Sequence, residues 1–165
     1  MTLEDKVRYY YIDLHYNCAE AVIHAANDYY DLDITKDDMR MLGGFGGGMY
    51  AGVVCGVLVA AVAVLSKMVV KESARQEGET VRPVINGMVR SFNQELEGLS
   101  CKELRPKYYT KEDSCLKTVL LGNVAALAAR DGKPRVEWDG AYVTNNPAAN
   151  AYCKTTYRKG WEIES

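Results

Sequence analysis

Apolar side chains at Leu3, Val7, Tyr10, Leu14, Cys18, Val22, Ala25 and Tyr29 recur at steps of three and four residues, the spacing that lines them up on one face of a helix. They predict a long helix over residues 3–30, with Cys18 inside its apolar stripe. Asp31 to Asp33 interrupt that stripe, and Thr35 with Asp38 forms a capping signal for a short helix through Met41. The glycine-rich run from Gly43 to Gly48 ends it. From Met49 the chain reads MYAGVVCGVLVAAVAVLS, apolar at every position of the helical repeat. This predicts a central helix over about residues 50–68, buried on every side, and Asp at Ala61 or Val62 should unfold the domain. The run is too short and too poor in Leu, Ile and Phe to read as a membrane span.

A charged connection, residues 71–80, leads to Thr80 as a cap, Pro83 in the first turn, and a stripe of Val81, Ile85, Met88, Phe92 and Leu96 that Gly98 stops. Ser100 with Glu103 is a capping box that puts Cys101 in a first helical turn, and Pro106 cuts that helix short. Thr110 with Asp113 opens a last long helix to about residue 130, with Cys115, Val119, Gly122 and Ala126 on one stripe. The fold class is therefore all-α: a helical bundle around a central apolar helix. Residues 1–132 form the bundle domain. Residues 133–165 lack a helical period but carry several aromatics, and read as an irregular strap packed on the bundle, with a short hairpin near its end.

The 165-residue chain is 48% hydrophobic and 25% charged, with 20 Lys and Arg against 22 Asp and Glu. That balance excludes a disordered chain and leaves no basic tract for a nucleic-acid backbone. Five cysteines are too few for a disulfide scaffold. The N-terminal residues lack the pattern of an export signal, so a cytoplasmic, reducing location is expected, with the cysteines as thiols or ligands. Tyr9, Tyr10 and Tyr11 cannot all turn inward from one helix, and outward-facing aromatics favour association, so a homodimer is expected.

His15 and His24 lie nine residues apart, on different sides of a helix, which excludes a two-histidine metal motif. The chain has no CxxC, no P-loop and no GxGxxG. The cysteines remain. A lone cysteine on an apolar face is usually a small core residue. Cys55 and Cys101, however, fall near helix starts, where amide donors and the helix dipole favour a thiolate, and they are the reactive candidates. Cys18 and Cys115 lie on core-facing stripes, so all four can meet in one interior, while Cys153 stands apart in the aromatic tail. Gly46, Gly47 and Gly48 are either a tight packing turn or a seat of backbone amides for an anion or cofactor.

This order of residues resembles the C_GCAxxG_C_C family of redox-active proteins. The resemblance rests on Asn17-Cys18-Ala19-Glu20-Ala21-Val22, the run Gly44-Phe45-Gly46-Gly47-Gly48, Cys55-Gly56, Ser100-Cys101-Lys102-Glu103-Leu104 and Cys115, and covers about residues 3–130. The family's Cys-Gly-Ala-x-x-Gly segment stands here as Cys55-Gly56-Val57-Leu58-Val59-Ala60, with Val57 and Ala60 in place of smaller residues. The resemblance implies a helical domain whose Cys18, Cys55, Cys101 and Cys115 do redox work or hold a prosthetic group such as an iron–sulfur cluster. Three readings stay open: electron transfer or redox sensing through such a cluster; a metal-free dithiol protein in which Cys55 and Cys101 exchange disulfides with a redox partner protein; and a structural zinc site or a purely structural helical domain.

Overall fold

The computed structural model describes residues 1–122. The expected end of the last helix near residue 130, the boundary at 132/133, the strap and Cys153 lie outside the described residues. Helix α1 (Leu3–Arg8) is capped by Thr2 and continues into a π-helical turn, Tyr9–Asp13. Helices α2 (Cys18–Tyr30) and α3 (Lys36–Met39) follow, the latter running on into a 3-10 turn, Arg40–Phe45. Next come α4 (Gly56–Val69), α5 (Gly78–Leu96) and α6 (Cys101–Tyr108). A last helix, α7, opens at residue 116 and reaches the end of the described residues. There is no β-strand among the described residues, and the all-α expectation holds.

Helix α4 packs against both α2 and α5. Ala19, Ala25 and Ala26 of α2 and Ala60 and Ala61 of α4 are all within 2% exposure, and such small side chains let two helix backbones come close. Met88, Phe92 and Leu96 of α5 and Leu104 of α6 close the core from the other elements. Among the described residues no helix is long and apolar enough to cross a membrane.

The expected helix over residues 3–30 is two helices. His15 has a left-handed backbone, φ +56°, and Asn17 starts the chain again. The Asn17 side chain accepts the amides of Ala19 and Glu20 at 3.0 and 3.1 Å, and the Glu20 carboxylate accepts the Asn17 amide at 3.1 Å. This reciprocal cap satisfies donors that a helix start would otherwise leave open. It overrides the stripe, leaving Leu14 exposed and Cys18 as the first residue of α2.

The central helix is also shorter than expected, because residues 49–55 are not part of it. Gly47, Gly48, Met49 and Tyr50 are consecutively left-handed, with φ of 58, 66, 59 and 54°. For Met49 and Tyr50 that conformation costs about 1–2 kcal/mol each. The turn closes with the Val53 amide donating to the Gly48 carbonyl at 3.0 Å. Within α4 itself Val59, Val62 and Ala63 are only half-buried, so the helix has one core face and one partly open flank. Helix α5 starts at Gly78, just after Glu77, whose carboxylate accepts the amides of Lys71, Glu72 and Ser73. Pro106 does not end α6, which runs on to Tyr108. Thr110 and Ser114 pair in an isolated bridge, so α7 begins later than its expected start at residue 110.

Candidate functional site

All four cysteines of the described residues sit at helix starts. Cys18 and Cys101 are the first residues of α2 and α6, behind the caps Asn17 and Ser100. Cys55 is the cap residue of α4. Cys115 precedes α7, and its carbonyl accepts the Val119 amide at 3.1 Å. The expectation of two helix starts and two inward stripes is thus corrected to four helix starts, because Cys18 and Cys115 follow breaks in the chain at His15 and Ser114, both left-handed.

Short pairings bring these starts together. The Cys55 amide donates to the Leu99 carbonyl at 2.8 Å, and the Cys101 amide donates to the Val53 carbonyl at 2.7 Å. The two segments form an antiparallel bridge between Val54 and Ser100, so α4 and α6 leave from adjacent points. The Asn17 side-chain amide donates to the Gly43 carbonyl at 3.0 Å, tying the start of α2 to the glycine run. The Cys115 amide donates to the Tyr11 hydroxyl at 3.1 Å, which ties the start of α7 to the first helical segment.

The four cysteines line one cavity of about 510 Å³, shared with Tyr11, His15, Gly47, Arg105, Glu112 and Thr118 among others. All four are free thiols. Of the glycine run, Gly47 reaches the cavity, and its amide faces the Cys18 sulfur. Gly46 and Gly48 serve close packing instead. A Cβ on Gly46 would lie 2.8 Å from the Asn17 side chain, and one on Gly48 would lie 2.7 Å from the Val53 carbonyl oxygen and 2.8 Å from the Cys101 Cβ. Gly56 is equally confined, 2.6 Å from the Phe45 carbonyl oxygen and 2.8 Å from the Cys18 sulfur by the same measure. The sequence marks Tyr11 only as one of three consecutive tyrosines and gives no signal for Arg105 or Thr118, each a lone residue without a spacing pattern.

Burial sets the thiol chemistry. It pushes the Cys18 and Cys115 thiols up, and the Cys55 thiol, only 5% exposed, up to about 12. The amides of Val57 and Leu58 at the start of α4 act in the expected direction, favouring the thiolate, but the sulfur makes no regular capping hydrogen bond and desolvation outweighs them. Burial of Cys55 therefore works against the thiolate that its position favours. A raised value in the fold means that the protonated form is the stabilised one. Its contribution is complete below about pH 9, and is lost as pH rises through the folded value near 12. At most it amounts to about 4 kcal/mol. Metal-free protein is expected to lose stability over that window, and Cys55→Ala to lose less. Denaturant melts of both proteins across the window check this; parallel curves would contradict it.

The helical domain thus gathers four helix-start cysteines around one cavity. Residues 16–130 match the family described as "Putative redox-active protein (C_GCAxxG_C_C)". That match spans most of the chain, and the protein belongs to this family. No curated protein and no solved structure matches the chain.

Proposed function

We propose that Cys18, Cys55, Cys101 and Cys115 act as one ligand set for an iron–sulfur cluster, and that the protein transfers electrons or senses redox state through it. The observation that carries this reading is the meeting of four separate helix starts, each with its cysteine, at one cavity. Thiolate ligands bring negative charge, and helix starts supply the amide donors and dipole that offset it. Among the described residues no three His, Cys, Asp or Glu side chains are grouped closely enough for a single metal ion. A cluster of several metal atoms takes its thiolate ligands from around its body, and four cysteines brought to one cavity from four separate helix starts suit that arrangement. When bound, such a cluster supplies one-electron chemistry. The chain's part is to present the four thiols, shed their protons on loading and shield the site from water. The Gly47 amide, facing Cys18, is the one member of the glycine run placed to assist.

The metal-free dithiol reading asks Cys55 and Cys101 to exchange with a disulfide. It has weaker support, because an attacking thiol works best with a pKa near ambient pH, and Cys55 lies far above it.

Anaerobic reconstitution with iron and sulfide, followed by metal analysis and an absorption spectrum, tests the proposal. Visible bands with bound iron are expected. Each of Cys18→Ser, Cys55→Ser, Cys101→Ser and Cys115→Ser should lower the iron content, and Cys153→Ser should not. Uptake of zinc alone would favour a structural site, and uptake of neither metal would favour the dithiol. Cys55→Ser and Cys101→Ser proteins that load like wild type would refute the ligand set.

The reading extends to a cytoplasmic setting, where free thiols persist, to a redox partner protein and to a homodimer. Tyr9 and Tyr50 are exposed by 42% and 79%, and surface aromatics are enriched where proteins associate. Light scattering at micromolar concentration is expected to return a dimer mass, and a monomer mass would remove this part.

A further inference from the structure

Thr118 is 3% exposed and forms part of the wall of the four-cysteine cavity. Its hydroxyl is buried and finds no hydrogen-bond partner among the described residues. A hydroxyl removed from water without a partner is costly, and native proteins rarely keep one that nothing uses. Helix geometry makes the location specific. Thr118 lies in the first turn of α7, three residues after Cys115, which precedes the helix, and both line the cavity, while its neighbour Val119 is fully buried in the core.

We propose that Thr118 is a positioning residue that donates a hydrogen bond to an anionic sulfur of the group held by the four cysteines, either a ligating thiolate or a bridging sulfide. This rests on the iron–sulfur reading above. In the metal-free protein the cysteines are thiols, weak acceptors, and the hydroxyl has no use. Loading converts them to thiolates and brings sulfide, both anionic acceptors, which gives the hydroxyl its partner. Hydrogen bonds to cluster sulfurs also tune the reduction potential. They stabilise the more negative, reduced state, so this one raises the potential.

Thr118→Val keeps the shape of the side chain and removes only the hydroxyl, and Thr118→Ser restores it. Two measurements therefore move in opposite senses. Thermal melting of the metal-free proteins should show Thr118→Val more stable than wild type, because a buried donor without a partner has gone. Spectroelectrochemical titration of the proteins reconstituted with iron and sulfide should show a lower midpoint potential for Thr118→Val, and a midpoint close to wild type for Thr118→Ser. A metal-free Thr118→Val protein that melts lower than wild type would mean that the hydroxyl already has a partner, and the assignment would fall. An unchanged midpoint in loaded Thr118→Val would also overturn it, while leaving the cluster reading in place. Wild-type protein that takes up no iron and sulfide would remove the cluster reading and this assignment together.

Discussion

Ala61→Asp protein is expected to show no cooperative melting transition. Ala61 is 1% exposed on the core face of α4, within a cluster made of apolar side chains. Ionised there, a carboxylate would have no partner; protonated, it would still bury a polar group and overfill the space that alanine leaves between α2 and α4. Burying such a group costs several kcal/mol, against a total stability of about 5–15 kcal/mol for a typical domain. Val62→Asp, which the sequence marks as equally damaging, should be milder because Val62 lies on the half-buried flank of the same helix. Circular dichroism melts of the two variants make the comparison. A cooperative Ala61→Asp transition near the wild-type temperature would show that α4 is not the centre of the fold.

The second large effect is expected at Gly48. An alanine there would combine a left-handed backbone with a Cβ pressed against Val53 backbone atoms and the Cys101 side chain. Backbone cannot rotate away as a side chain can, so the cost should reach about 3 kcal/mol or more. Gly47→Ala meets no neighbour within 4 Å but keeps φ at +58°, and should cost about 1 kcal/mol. Gly44→Ala has neither penalty and should fall within about 0.5 kcal/mol of wild type. Chemical denaturation of the three variants tests this ranking. Equal effects would mean that the glycine run acts as a flexible seat rather than as a packed turn.

The parts of the fold that followed from sequence are those in which local capping and apolar period agree. Ser100 with Glu103 starts α6 where expected, and Thr35 with Asp38 starts α3. The same signal stands at Asn17 and Glu20, yet a continuous stripe from Leu3 to Tyr29 masks it. A stripe records which residues face inward, and two consecutive helices packed on one core can share it across a break. Residues 49–55 went astray for a different reason. Apolarity there does not distinguish a helix from a left-handed turn whose large apolar side chains before Cys55 stay outside, with Tyr50 the most exposed among them. Family order lists the four cysteines together and the structure puts all four on one cavity, while the reason for their placement, a helix start in every case, depends on breaks at His15 and Ser114 that no residue type announces.

The bridge between Val54 and Ser100 fastens chain segments almost fifty residues apart, and α2 and α7 join the same junction from outside that span, one before it and one after it. None of the four cysteines has another of the set as a near neighbour along the chain, so the unfolded protein offers at best scattered thiols. Anything held by all four would act as a clasp across the whole bundle, adding its binding free energy to the fold by mass action. Emptying the cavity would then loosen every element that ends there, and resistance to proteolysis would become a gauge of how much of the protein is loaded.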